Sequence, residues 1–211
     1  GLDKGLFEQY IDLLLGALRG DFGQSLSLNR PVAELLAERL PQTLSLAGLA
    51  IVLSLLGGIG LAYLTAYIRW QPLKKALARL PSLGFSVPVF WMGLLLIQVF
   101  AFGLGWFPAT GTRGFESLVL PAITLAIPSA AVYAQVLQRS FQGVWKEAYI
   151  VTAYAKGLSR AQVQARHGFR NAALPILTLI GLQVGNTVSG AVLVETIFAR
   201  SGIGRLAQEA V

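Results

Sequence analysis

The sequence predicts an all-α fold, a polytopic membrane helix bundle of four spans with a helix–Gly–helix loop on its cytoplasmic side. Charged residues make up only 13% of the 211 residues, about half of the share that is usual in soluble domains. Apolar residues make up 55%, and the few charges leave long uncharged stretches that can each cross a bilayer. Strict apolar–polar alternation is absent, which argues against a membrane β-barrel.

Four uncharged stretches define the predicted spans. The first covers about 43–68 and the second about 86–107. The third covers about 118–138 and the fourth about 172–194. Each is at least as long as the roughly 20 residues that a helix needs to cross the hydrocarbon layer. Several contain proline, which membrane helices tolerate because neighbouring groups satisfy the freed carbonyl oxygen.

Two further segments flank the transmembrane domain, which we place at 43–194. Residues 1–42 form an extracytoplasmic segment with short helices, because apolar residues recur there at helical spacing up to Gly20 and Pro31 then opens a second helix. Residues 195–211 form a second extracytoplasmic segment. An outward-facing start without a signal peptide indicates a fragment that lacks a preceding helix.

The distribution of positive charge predicts the orientation. Residues 69–79 carry four basic and no acidic side chains, and residues 139–171 carry six basic and one acidic. Both segments fall on the same side of a four-span layout, so the positive-inside rule makes both cytoplasmic and both chain ends extracytoplasmic. Residues 1–42 hold four basic and six acidic side chains, in agreement. The isoelectric point of about 10.1 therefore needs no nucleic-acid partner.

The cytoplasmic segment 139–171 is too long for a simple turn. Gly157 interrupts it, as a left-handed helix terminus does. Ser159 followed by Gln162 matches a capping box, so a second short helix should begin there. On this second helix a small apolar surface should be formed by Val163, Ala161 and Ala165. The arginines Arg160, Arg166 and Arg170 should remain in solvent. A helix–glycine–helix hairpin of this kind is a docking element on the membrane surface.

Several chemistries are excluded by residue counts. The chain has no Cys and a single His, so thiol chemistry and Cys- or His-rich metal centres are ruled out. None of the five lysines is followed by Ser or Thr, so the chain has no Walker A loop to hold a nucleotide. We expect no catalytic residue, no bound metal and no cofactor in this chain. His167 is expected to make a hydrogen bond that stabilises its loop.

Two motifs carry a resemblance to a known family. TAYAKGL at 152–158 and RHGFRNAALP at 166–175 closely resemble the cytoplasmic loop of binding-protein-dependent ABC transporter permeases, and in particular the first ("B") permease subunit of the peptide/nickel group. Further segments resemble the same subunit, at 1–10, 20–25, 30–47 and 194–206. The general signature of Glu-Ala-Ala, three residues and Gly is only partly present, because Val151 and Thr152 stand at its first two positions if Gly157 is its glycine.

The resemblance implies the permease subunit of an ATP-driven importer in the bacterial inner membrane. Its partners would be a second permease subunit, two ATPase subunits that bind ATP and Mg²⁺, a solute-binding protein and membrane lipid. It also implies about one further helix at each end of the chain. The transported solute would be a peptide, with nickel, glutathione-like and opine-like solutes left open. The coupling loop would contact the ATPases through Thr152, Ala153, Ala155, Lys156, Gly157, Leu158, Arg166 and His167.

Polar residues inside the predicted spans are candidates for the translocation path, since polar groups at membrane depth usually face protein or water. They are Gln98, Gln135, Gln183, Asn186 and Thr187. Hydrogen bonding between helices, without contact to solute, is the alternative role for them. The predicted spans contain no Asp, Glu, Lys, Arg or His, which disfavours the alternative function of a secondary transporter or channel-like subunit.

Overall fold

The computed structural model describes residues 5–209, which contain no β-strand. Residues 1–4 of the predicted outer segment, and residues 210–211, lie outside the described residues. The helices are α1 (Leu6–Leu18), α2 (Val32–Tyr67), α3 (Gln71–Ser86), α4 (Val89–Leu96), α5 (Glu116–Val144), α6 (Ala148–Ala155), α7 (Arg160–Val163), α8 (Arg170–Ala172), α9 (Leu174–Ile197) and α10 (Ile203–Glu209). Helical π-turns extend α4 over Ile97–Gly103 and join α7 to α8 over Gln164–Phe169.

Three of these helices, α2, α5 and α9, are long and apolar enough to cross a membrane. A fourth crossing is available if α3 and α4, which meet at an angle of 105°, form one broken span. The predicted fold class, an all-α membrane bundle, is therefore confirmed, with up to four spans. The most enclosed of the three long helices is α5, with 61% of its most apolar 18-residue window buried, against 28% for α2 and 22% for α9.

The first long helix begins at residue 32, earlier than the predicted span at 43–68. A single helix, α2, runs unbroken from Val32 and takes up the end of the predicted outer segment, so the boundary at residue 42 lies inside it. Pro31 precedes its first turn, where a fixed φ favours helix initiation. Pro41 lies within the helix and removes one backbone hydrogen bond without ending it. The short helix predicted before Gly20 is α1, which ends at Leu18.

The second predicted span is the one that differs most from the structure. Residues 69–79, expected as a loop, form most of α3, and Pro88 lies at the bend where α4 begins. A Cβ on Gly84 would lie 3.0 Å from Ala131 and 3.5 Å from Ile127 of α5, so α3 enters the bundle as far as its middle. The three basic residues on α3 explain why a prediction based on uncharged length placed a loop here.

The helix α2 runs parallel to α5, because Gly58 and Thr65 of α2 meet Ala130 and Gln138 of α5 in the same order. The pair α3 and α4, and the helix α9, run antiparallel to α5. Gly58 marks the closest approach of α2 to α5, where an added Cβ would lie 2.6 Å from the Ala130 carbonyl oxygen and 2.7 Å from Tyr133. Two apolar clusters fill the interior, one around Leu46 and Leu120 and the other around residues of α2, α5 and α9 near the hairpin. We name the end that carries residues 69–79 and the hairpin the basic end, and the other the opposite end.

Candidate functional site

A helical hairpin extends from the basic end. Because α5 continues to Val144, the connection between α5 and α9 begins later than the predicted residue 139. The first hairpin helix is α6, and Gly157 follows it with φ +80°, which confirms the left-handed turn. Ser159 caps α7: its hydroxyl accepts from the Gln162 backbone N–H at 3.4 Å, and the Gln162 side chain accepts from the Ser159 N–H at 2.9 Å. The predicted capping box is therefore confirmed.

The hairpin has its own small apolar core. Ile150, Ala153 and Val163 are at most 5% exposed and pack together. Ala153 was expected to contact an ATPase, but it lies inside this core, because it occupies the face of α6 that meets α7. Of the predicted apolar surface on the second helix only Val163 is buried, whereas Ala161 and Ala165 are exposed.

The remaining predicted contact residues lie at two places on the hairpin. Thr152, Ala155, Lys156 and Gly157 are exposed around its tip, next to a half-buried Leu158. The second place, at the π-turn after α7, holds an exposed arginine and a half-buried histidine, Arg166 and His167, which border an open cavity of about 600 Å³. There the His167 carbonyl oxygen accepts a hydrogen bond from Asn171 Nδ2 at 2.9 Å. That bond uses the His167 backbone and not the imidazole.

Two side chains fasten the second helix of the hairpin to the end of α2. Arg160 donates to the Ala66 carbonyl oxygen at 2.9 Å, and Gln164 Nε2 donates to the Tyr63 carbonyl oxygen at 2.7 Å. The Arg160 guanidinium also lies 5.5 Å from the centre of the Trp145 ring, in the range of a cation–π contact. The expectation that Arg160 remains in solvent is wrong, because carbonyl groups at a helix C-terminus need donors. The role of Gln164 was not predicted, and the only signal for it in the sequence is its spacing of four residues from Arg160.

A half-open cavity of about 300 Å³ lies between α5, α9 and the break from α3 to α4. Gln183, Asn186 and Thr187 line one side of it together. Asn186 Nδ2 donates to Gln183 Oε1 at 2.7 Å, so the two amides form one polar patch. The other two predicted path residues, Gln98 and Gln135, are not among the residues that line this cavity.

The cavity exists because two helices are irregular at this depth. Phe85 and Val89 line it from either side of the bend between α3 and α4, and Pro128 lines it from α5. A proline within a helix removes one backbone hydrogen bond and displaces the preceding turn. Of the polar residues of α9 at this cavity, Gln183 and Thr187 are buried against the bundle and Asn186 is exposed.

At the opposite end, a buried cluster of polar groups connects four parts of the chain. The acidic residue of this cluster, Glu195, is completely buried. Its carboxylate accepts from Thr43 Oγ1 at 2.6 Å and from the Gly204 N–H at 2.8 Å. A Cβ on Gly202 would overlap the carboxylate, which explains a glycine there. Glu195 is covered because α10 folds back over the end of α9.

Arg200 is the cation of this Glu195–Arg200 cluster and is 1% exposed. Its Nη1 donates to the Ser117 carbonyl oxygen at 2.9 Å and its Nη2 to Gln42 Oε1 at 3.3 Å. Ser117 lies four residues before Pro121, which has no N–H to give to that oxygen, so the guanidinium replaces the missing helical donor. Burial lowers the pKa of Arg200 from its ordinary value, and the charge of Glu195 opposes that shift.

Comparison with known families agrees with this geometry. The sequence model of the family described as "Binding-protein-dependent transport system inner membrane component" matches residues 58–211. The chain belongs to this family. It is therefore a multi-pass permease subunit of an ABC importer in the inner membrane, a transport subunit and not an enzyme, and its family works with an ATPase and a solute-binding protein.

Individual relatives narrow the group. The permease is 38% identical, over all of its 211 residues and 69% of the relative, to the glutathione transport system permease protein GsiC of Escherichia coli strain K12. It is 37% identical over the same shares to GsiC of Shigella flexneri serotype 5b. These likenesses support an ABC permease of the peptide/nickel type.

A solved structure shows the same fold. The crystal structure of an amino acid ABC transporter with histidines matches with a TM-score of 0.65 at 21% identity. The match covers 84% of the permease and 78% of that chain. At this level of identity the likeness concerns the arrangement of the helices alone.

Proposed function

We propose that this permease and a second permease subunit together carry small peptides, in the size class of glutathione, through the inner membrane. The name of the GsiC relatives supports this class of solute. The half-open cavity of about 300 Å³ beside α9 is at the lower end of the range of small-molecule sites. Its amide and hydroxyl groups, from Gln183, Asn186 and Thr187, suit the donors and acceptors of a peptide backbone.

The basic end is proposed to face the cytoplasm. The positive-inside rule supports this orientation, because the basic segments at 69–79 and 139–171 both belong to that end. Both ends of the described chain then face outward, where the solute-binding protein delivers the solute. Two ATPase subunits, which bind ATP and Mg²⁺, would lie beneath the basic end, since this chain has no phosphate-binding loop.

The observation that carries the proposed mechanism is the attachment of the hairpin to α2. Its tip at Gly157 is exposed, while Arg160 and Gln164 bind carbonyl oxygens at the end of α2. An ATPase that grips the tip would therefore move α2 together with the hairpin. Lys156 and Arg166, both exposed, are placed to pair with carboxylates of the ATPase.

Asn186→Leu is expected to reduce peptide uptake about tenfold, the effect of losing roughly 1.4 kcal/mol of interaction with the solute. The change removes an amide from the cavity wall, and leucine has a similar size. Gln98→Leu is the matched control, because Gln98 is exposed and outside that cavity. Uptake of a labelled peptide into proteoliposomes measures both. Equal uptake by the two variants would indicate that Asn186 serves helix packing.

Dependence on ATP tests the proposed function as a whole. In proteoliposomes that contain both permeases, the ATPases and the binding protein, we expect uptake only with ATP and Mg²⁺. An ATPase in which the phosphate-loop lysine is replaced by alanine should abolish it. Uptake that continues with this ATPase would contradict the proposal and favour a secondary transporter or a channel.

A further inference from the structure

A second cavity, at the basic end, has an unusual concentration of positive charge. Its volume is about 620 Å³, and it lies where the end of α2, the start of α3 and the hairpin meet. The four cations that line it are Arg69, Lys74, Lys146 and Arg160. Its other lining residues are Ala66, Gln142, Trp145 and Tyr154, so no carboxylate is among them. We call this space the basic cavity.

One of the four cations is held in a fixed position. Arg160 is bound to the Ala66 carbonyl oxygen at 2.9 Å and lies over the Trp145 ring. Trp145 is in turn stacked on Tyr154, with ring centres 6.4 Å apart. The Nε of Arg160 is buried and has no hydrogen-bond partner among the described residues. The wall of the basic cavity carries this guanidinium in a fixed position, and a guanidinium forms strong hydrogen bonds with anionic oxygens.

An apolar cleft continues from the basic cavity between α2, α3 and α5. It has a volume of about 70 Å³ and shares four lining residues with the basic cavity, namely Ala66, Lys74, Gln142 and Trp145. Its remaining walls are the apolar Ala62, Ala78 and Phe141 and the polar Thr65 and Gln138, which are hydrogen-bonded to each other. A polar, cationic opening that continues into an apolar cleft matches an amphiphile better than a free ion.

We propose that the basic cavity binds the phosphate of an anionic phospholipid headgroup, and that the first carbons of an acyl chain enter the apolar cleft. Basic pockets between membrane helices on the cytoplasmic side are suited to such headgroups, and tryptophan is enriched at the same depth. The bound lipid connects α2, α3 and the hairpin through Arg69, Lys74 and Lys146. This site is independent of the solute that the permease carries.

The test uses the whole transporter, purified in detergent and stripped of lipid, with native mass spectrometry as the readout. Phosphatidylglycerol is added in one series and phosphatidylcholine in another. We expect retained phosphatidylglycerol to fall about fivefold in Lys74→Gln, the effect of one basic residue near an anionic phosphate. Lys75→Gln, the next residue on the same helix but outside the lining, should retain the wild-type amount.

Four results would overturn the proposal. They are equal retention of the two lipids, equal loss in the Lys74 and Lys75 variants, complete displacement of phosphatidylglycerol by millimolar inorganic phosphate, and a Lys74→Gln transporter that keeps the lipid but loses its ATPases. The third would assign the cavity to free phosphate and the fourth to a protein surface. If the Lys74→Gln permease does not fold, Arg69→Gln replaces it. Its control is Arg113→Gln, which lies outside the cavity.

Discussion

Gly157→Glu is expected to abolish ATP-driven uptake, while the permease still inserts into the membrane in normal amounts. Gly157 has φ +80°, a conformation that costs other residues roughly 1–2 kcal/mol, and a Cβ there meets no atom within 4 Å. The glutamate therefore projects from the tip of the hairpin into the space proposed for the ATPase. Its charge opposes that of the neighbouring Lys156, which is proposed to pair with a carboxylate. Uptake per inserted permease, in proteoliposomes, measures the effect.

Two smaller substitutions separate a lost contact from backbone strain. Asparagine adopts the left-handed conformation more readily than most residues, and alanine adds strain with only one methyl group. We expect Gly157→Asn and Gly157→Ala to keep most of the uptake. Equal loss in the alanine and glutamate variants would mean that strain alone explains the defect. Normal uptake by a well-inserted Gly157→Glu permease would refute docking at this position.

Glu195→Ala is expected to lower the free energy of unfolding by about 3 kcal/mol, the upper part of the range for leaving buried hydrogen-bonding groups without a partner. The change leaves the Thr43 hydroxyl and the Gly204 N–H without their acceptor. It also removes the negative charge that acts on the buried Arg200. Thermal unfolding of the purified permease in detergent measures the loss as a lower midpoint.

Three other variants show whether the position of Glu195 is responsible. Gly202→Ala should also lower the midpoint, because its methyl group overlaps the carboxylate. Glu195→Gln, which keeps one acceptor oxygen but no charge, should give an intermediate loss. Glu34→Gln is the control, since Glu34 pairs with Arg30 on the surface with 54% of its side chain exposed, and such pairs contribute little. An equal effect of Glu195→Ala and Glu34→Gln would contradict the buried role.

Features with a local cause could be predicted from the sequence. The long helices follow from uncharged apolar stretches, and the hairpin follows from Gly157 and the capping box at Ser159, whose atoms lie within a few residues of one another. The grouping of Gln183, Asn186 and Thr187 beside one cavity also follows from helical spacing. The cavity itself could not be predicted, because its other walls come from the bend between α3 and α4 and from α5.

Features that depend on contacts between distant residues could not be predicted. Glu195 is buried because it meets Thr43, 152 residues earlier in the chain, and no local pattern announces that pairing. Arg160 turns inward because the end of α2, 94 residues away, presents a carbonyl group. The half-span α3 was missed for a different reason. Its basic residues lie in its first half, at the basic end, and their charge led to the prediction of a loop. Its second half is apolar and enters the bundle.

The continuity of α2 has a mechanical consequence for transport. One unbroken helix carries the attachment of the hairpin, at Tyr63 and Ala66, and the attachment to the buried carboxylate, at Thr43. These points are about 30–35 Å apart at the rise of an α-helix. A tilt imposed at one of them reaches the other without any relay of side chains. A single rotation of α2 could therefore open the permease at one end and close it at the other.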